Sequence, residues 1–149
     1  MNGLRSTLAF GLALLLGVLV AGCSSSDEKN DYVDQINELQ ALYNDELSAV
    51  SVPTNLAEVR DLAAKGSELD AQLADDVAAV DPPEEVADLH EELVATLEVS
   101  AAASADLEKV VRTTNNRSEL EKALTEADRN TDATIDKFNS LIDQINEEL

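Results

Sequence analysis

The stretch AQLADDVAAVDPPEEVADLHEEL, residues 71–93, contains two apolar patterns separated by a pair of prolines. Apolar residues recur every three or four positions on both sides of the prolines: Leu73, Val77, Val80, Val86, Leu89 and Leu93. This spacing places them on one side of an α-helix, whereas a strand would need alternation at every second residue. A connection this short brings the second helix back alongside the first. The stretch therefore predicts an antiparallel helical hairpin.

The same helical period extends through the rest of the chain after Asp27, with further breaks near Pro53 and within TTNN, residues 113–116. These breaks divide the chain into four helices, predicted at about 27–51, 55–80, 82–113 and 118–149. No segment alternates apolar and polar residues in the two-residue period of a strand. We therefore expect an all-α fold, an antiparallel up-down-up-down four-helix bundle formed by residues 28–149.

Each predicted helix starts with residues that can satisfy its free backbone amides. The candidates are Ser25 with Glu28, Thr54 or Asn55 with Glu58, Asp81 ahead of Pro82 and Pro83, and Ser118 with Glu121. The serine-to-glutamate spacing of three is that of a capping box. In the third helix, the prolines would occupy first-turn positions whose amides have no helical partner.

Small residues within the apolar stripes are predicted to meet large ones on the neighbouring helix. Counting back across the first turn places Tyr43 opposite Ala63 and Gly66, and counting across the prolines places Leu97 near Gly66. Large side chains that face small ones interlock in closely packed layers. We therefore expect close helix packing here in preference to a ligand pocket among the small residues.

The sequence is strongly acidic, because its 149 residues include 31 Asp and Glu against 10 Lys and Arg, a net charge of -21. All of the acidic residues lie at or after Asp27. This charge repels phosphates, which argues against nucleic acid as a partner and against attraction to anionic lipid headgroups. The high net charge leaves two other interpretations open. Charge repulsion could leave the chain partly disordered at low ionic strength, or the acidic surface could be an adaptation to a habitat of high salt.

The N-terminal segment has a different composition. Arg5 precedes 13 uncharged apolar or glycine residues, LAFGLALLLGVLV at 8–20, and the sequence AGC follows. These are the three parts of a secretory signal peptide. Since a stable membrane span needs about 20 apolar residues, the segment is short for a span, and cleavage is expected.

The residues at the expected cleavage point, Val20, Ala21, Gly22 and Cys23, resemble the lipobox of bacterial lipoproteins, with Val in place of the usual Leu. The resemblance covers residues 1–23. It implies that a diacylglyceryl group is joined to the Cys23 sulfur and that residues 1–22 are removed as a signal peptide. Residues 23–27 then form the lipidated cysteine and a short polar tether. The mature protein is thereby expected on the extracytoplasmic side of the cell membrane, since two acyl chains suffice for stable anchoring.

Cys23 is the only cysteine of the chain, which favours its modification. An unpaired thiol exported to an oxidising compartment is reactive, whereas a thioether is inert. The alternative is an ordinary secreted signal peptide whose cysteine is incidental. No disulfide can form within the mature chain.

The sequence predicts no catalytic centre, metal site or cofactor. His90, the only histidine, lies at the margin of an apolar stripe, and we expect its ring tip to be in water. The paired carboxylates Asp75 with Asp76 and Glu91 with Glu92 diverge by about 100° around a helix, so they do not converge on a substrate. The sequence also contains no glycine-rich phosphate loop, zinc-ligand spacing or calcium loop.

These features favour a lipid-anchored, non-enzymatic protein of the cell envelope that is structural or binds another envelope protein. The segment PPEEVADLHEEL, residues 82–93, is similar to a helix start in small predicted lipoproteins of high-GC bacteria, a likeness that implies no activity. The alternative function is a binding module for metal cations or basic peptides, which would use the acidic helix faces.

Overall fold

The computed structural model describes residues 27–149, which form four α-helices joined by short connections. The helices are α1 (Asp27–Ser48), α2 (Leu56–Ala78), α3 (Ala87–Thr113) and α4 (Arg117–Glu148), and a 3-10 turn at Glu84–Val86 precedes α3. Residues 27–149 contain no strand. The prediction of an all-α, antiparallel four-helix bundle is confirmed.

Contacts between the helices define their directions. Tyr43 of α1 contacts Asp70 of α2, and Glu46 further along α1 pairs with Lys65 earlier in α2, so these two helices are antiparallel. α2 packs most extensively on α3, and α3 in turn packs on α4. The start of α1, the 3-10 turn and the end of α4 therefore share one end of the bundle, the proximal pole. The connections at 49–55 and 114–116 form the opposite end, the distal pole.

The third helix begins at Ala87, later than its predicted start at residue 82, and Asp81 does not cap it. Pro82 precedes another proline, and the residue before a proline is disfavoured in the helical conformation. Pro83 itself is extended, with φ -57° and ψ 149°. The chain can therefore take up helical geometry only after Pro83, first as the 3-10 turn and then as α3.

The pairing of α2 with α3 differs from the prediction. Leu97 belongs to the same buried cluster as Leu73, and no atom lies within 4 Å of a Cβ built on Gly66, so the prediction that Leu97 packs near Gly66 is wrong. Asp70 of α2 meets Ser104 of α3. The prediction, which placed the turn at the two prolines, had paired Gly66 with Leu97 instead.

Two helix starts show how asparagine acts as the N-cap. Asn55, one of the two predicted candidates, caps α2. Its Oδ1 accepts a hydrogen bond from the Glu58 amide at 3.0 Å. The Glu58 carboxylate in turn accepts a hydrogen bond from the Thr54 amide at 2.6 Å. α4 is capped by Asn116, and the prediction of Ser118 is wrong, because Asn116 Oδ1 accepts the Ser118 amide at 3.0 Å. Asparagine is as good an N-cap as serine, and Asn116 precedes Ser118 in the chain, so α4 begins directly after Asn116.

Candidate ligand-binding cavity

Most of the buried apolar side chains fall in two separate clusters. The larger one joins all four helices in the proximal half of the bundle: Tyr32, Val33, Ile36, Leu73, Ala74, Val77, Val80, Val86, Leu93, Leu97, Phe138, Leu141, Ile142 and Ile145. The smaller one lies near the distal pole and contains Val59, Val111 and Leu120. Because burial of apolar surface is the main stabilising contribution to folding, the bundle is stabilised separately at its two ends.

A cavity of about 90 Å³, partly open to solvent, lies between the two clusters. The helix positions around it carry several small residues: Ala63, Gly66, Ser67, Ser100, Ala103, Ser104 and Ala127. Interlocking layers need large residues opposite small ones, but here small residues of α2, α3 and α4 face the same space. The prediction of close packing in place of a pocket is therefore wrong at this level of the bundle.

Gly66 shows the available space most directly. A Cβ atom added to this residue would meet no atom within 4 Å. Tyr43, which was predicted to pack against Ala63 and Gly66, does lie near them, but all three residues line the cavity. The missing side chain at residue 66 therefore contributes to the cavity and is not required for a close approach of two helices.

Asp70 of α2 supplies a carboxylate to the wall of this cavity. Tyr43 Oη, from α1, donates a hydrogen bond to Asp70 Oδ1 at 2.5 Å, and Ser104 Oγ, from α3, donates to Asp70 Oδ2. Burial, together with the charge of Asp70, raises the pKa of the Tyr43 hydroxyl well above its usual value, so the hydroxyl remains a donor. One carboxylate thus connects three helices through charge-assisted hydrogen bonds.

The spacing of apolar residues predicted Tyr43 in an apolar stripe, and no sequence pattern pointed to Asp70 or Ser104. The available signal was a polar residue close to core-facing positions: Asp70 follows Leu69, and Ser104 interrupts a run of alanines at 101–105. That signal does not identify the partner of the polar group, because each of the three residues lies on a different helix.

The cavity wall combines negative charge with apolar surface. Its two charged residues are both aspartates, Asp70 of α2 and Asp128 of α4. Within residues 27–149, no lysine, arginine or histidine nitrogen lies within 4.0 Å of either carboxylate. The apolar side chains of the wall are Leu47, Val59, Leu62, Leu107, Val111 and Leu124.

His90 is buried, with 5% of its surface exposed, so the prediction that its ring tip lies in water is wrong. Tyr32 Oη lies 3.2 Å from His90 Nδ1, and the two rings meet edge to face with their centroids 5.7 Å apart. A neutral imidazole with its proton on Nε2 accepts the Tyr32 hydroxyl at Nδ1. Burial lowers the pKa of His90, and the charges of Asp81 and Glu91 oppose this shift in part. The sequence could not show the burial, because Tyr32 lies on another helix.

The lowered pKa of His90 predicts a loss of stability as the pH falls below about 6.5, the usual pKa of histidine in an unfolded chain. Between the folded and unfolded pKa values, the unfolded state binds more protons, so the free energy of unfolding decreases with decreasing pH. Above this interval the contribution is fully present. We expect His90→Phe to remove this part of the pH dependence, as measured by urea unfolding between about pH 5 and 7.5.

Tyr32→Phe is the matched control for this experiment. It removes the hydroxyl that contacts the imidazole but leaves the titrating group buried. It should lower the free energy of unfolding by about 1 kcal/mol at neutral pH and keep the wild-type slope against pH. Identical slopes in the wild type and in His90→Phe would contradict the assignment.

Several predicted features lie outside the described residues: the lipid-attachment site Cys23, the cleavage residues Val20, Ala21 and Gly22, and the cap candidate Ser25. They remain predictions. Among the described helices, none combines the length and the apolar character needed to cross a membrane. Residues 27–149 also contain no group of three or more His, Cys, Asp and Glu side chains that could hold a metal ion.

Comparison of the chain with protein-family models, with curated proteins and with solved structures gives no match. Function is therefore inferred from the residues themselves: the N-terminal segment, the bundle and the cavity between its two apolar clusters.

Proposed function

We propose that this protein is a lipid-anchored lipoprotein of the cell envelope, a non-enzymatic and acidic helical bundle that interacts with another envelope component. The observation that carries the proposal is the sequence VAGC at 20–23, directly after the uncharged apolar segment at 8–20. A lipid on Cys23 would hold the bundle on the extracytoplasmic side of the membrane.

The position of the bundle relative to Cys23 is consistent with such an anchor. α1 begins at Asp27, the fourth residue after Cys23. Four residues span at most about 14 Å when fully extended, so the proximal pole would lie close to the bilayer. α1 has 22 residues, and its length of about 33 Å separates the two poles. Repulsion between the acidic surface and anionic headgroups would keep the bundle upright on its tether.

The non-enzymatic part of the proposal is supported by the environment of His90 and the position of Cys23. The only histidine is buried and contacts Tyr32, so it is not presented to a substrate. The only cysteine lies at the predicted lipidation position. The side chains that most often act as general base and strong nucleophile therefore have other roles.

The connection between α1 and α2 supports an interaction at the distal pole. Val52 in this connection is 63% exposed, and Leu56 at the start of α2 is 37% exposed. Exposed apolar side chains at the end of the bundle farthest from the proposed anchor would be accessible to another component of the envelope.

Expression of the full-length chain in a bacterial host, followed by detergent phase partition and labelling with palmitate, tests the anchor. We expect the wild type to enter the detergent phase and to incorporate the label, and Cys23→Ala to lose both properties because no thiol remains. Ser24→Ala is the matched control and should behave like the wild type. Mass spectrometry that finds an unmodified Cys23 thiol in the exported wild type would overturn the proposal.

A further inference from the structure

We propose that the cavity between the two apolar clusters binds a small aliphatic ammonium ion, with the Asp70 carboxylate as its counterion. This inference is independent of the lipid anchor, because it concerns residues 43–134, whereas the anchor concerns Cys23. It also differs from binding of cations to the acidic outer faces, because the site is inside the bundle.

The carboxylate of Asp70 is held in place and still has capacity to bind. The hydroxyls of Tyr43 and Ser104 each donate one hydrogen bond to it. A carboxylate can accept about four hydrogen bonds, so acceptor positions remain for the N–H groups of a ligand. Because these hydroxyl donors come from α1 and α3 on either side, the carboxylate has a defined orientation before a ligand arrives, which lowers the entropic cost of binding.

Charge favours a cation over a neutral ligand. Asp70 is half-buried, and within the described part of the chain no basic side chain pairs with it or with Asp128. A positively charged ligand gains an attraction to this carboxylate, which solvent screens less completely inside the cavity than on the surface. A neutral ligand of the same shape gains no such attraction.

The walls and the volume favour an ammonium group that carries a short alkyl chain. Leu62, Leu107 and Leu124 supply apolar surface that a bare metal ion could not use. An apolar cavity of about 150 Å³ takes up benzene, so a cavity of about 90 Å³ accommodates a somewhat smaller group. Since the cavity is partly open to solvent, the end of the chain can extend outwards.

Gly66 allows the cavity to be filled without disturbing its walls. A Cβ at this position meets no atom within 4 Å, and residue 66 lies inside α2. Gly66→Leu should occupy the space that the alkyl chain would use. Gly66→Ala is the matched control, because it makes the same change from glycine but adds only one methyl group. Alanine should raise Tm by about 2–4 °C through its higher helix propensity while leaving the cavity open.

The test is an NMR titration of the full-length chain with n-butylammonium chloride at about 0.15 M NaCl, where long-range surface electrostatics is largely screened. We expect saturable amide shifts around Gly66, Asp70 and Ser104. Asp70→Asn should weaken binding at least tenfold, since it removes a charge-assisted interaction. Gly66→Leu should abolish binding, and Gly66→Ala should keep it. Sodium chloride and n-butanol, added in place of the ammonium salt, should give no saturable shifts at these residues.

Asp61→Asn controls for net charge, because Asp61 is an exposed carboxylate on the same helix. It should leave the affinity unchanged. Absence of saturable shifts in the wild type would overturn the proposal, and so would equal affinities of the wild type and Gly66→Leu. Because the comparison with Gly66→Leu does not depend on Asp70, the proposal stays testable even where Asp70→Asn is unfolded.

Discussion

Phe138→Ala is expected to lower the free energy of unfolding by about 3–5 kcal/mol, the range observed when a buried phenylalanine is truncated. Phe138 is 1% exposed and belongs to the larger apolar cluster together with Tyr32, Leu93 and Ile142. These residues come from α1, α3 and α4, so the cavity left by the missing ring cannot be closed by movement of one helix alone. Urea unfolding followed by circular dichroism measures the effect.

Leu42→Ala is the control for this substitution. Leu42 lies on α1 and is 56% exposed, so its truncation should change the free energy of unfolding by no more than about 0.5 kcal/mol. The total stability of a domain of this size is about 5–15 kcal/mol, which makes the loss at Phe138 a large share of it. A loss below about 1 kcal/mol for Phe138→Ala would show that the proximal cluster is loosely packed.

The stability of the bundle should rise steeply with ionic strength. The folded domain, residues 27–149, contains all 31 Asp and Glu residues but only nine of the ten Lys and Arg residues, a net charge of -22, and its self-repulsion is relieved when the chain unfolds and expands. Between about 0.01 M and 0.5 M NaCl, the Debye length falls from about 30 Å to about 4 Å, which removes repulsion on the order of several kcal/mol. We expect Tm to increase by about 10 °C or more over this range in thermal unfolding of the full-length chain.

Screening also weakens the favourable ion pairs, but these are few. The described pairs between different elements are Lys29 with Glu85, Lys65 with Glu46 and Lys137 with Glu92. Partly exposed pairs contribute at most about 1 kcal/mol each, so their loss does not offset the relief of repulsion. The rise in Tm should level off above about 0.5 M NaCl, where screening is nearly complete. A Tm that is constant or falls with added salt would contradict the prediction and would argue against adaptation to high salt.

Most of the secondary structure could be predicted because its signals are local. The three-and-four spacing of apolar residues predicted all four helices, and Asn55 was among the predicted caps of α2. The errors occurred where neighbouring local signals compete. Asp81 has the chemistry of a cap, but the restriction that Pro83 places on Pro82 prevents a helix from starting there.

The candidate cavity could not be predicted, although the small residues around it could be identified in the sequence. Gly66 and the alanines of α2 and α3 were recognised as small, and close packing was expected from pairing each with a large partner. The observed register places small residues of three helices around one space, with Tyr43 and Asp70 hydrogen-bonded to each other in its wall. A shift of helix register exchanges every cross-helix neighbour at once, so the neighbours of residue 66 cannot be predicted from helix positions alone.

The amino-acid sequence by itself determined the helical segments, the breaks between them, the acidic surface and the prediction of a lipoprotein signal peptide at residues 1–23. Each of these depends on residues within a few positions of one another or on composition alone. Only the tertiary structure decided the register of α2 on α3, the division of the core into two clusters, the contacts of Asp70 with Tyr43 and Ser104, and the burial of His90 against Tyr32. The physical reason is that these features join side chains from different helices, whose neighbours are set by the packing of the whole bundle.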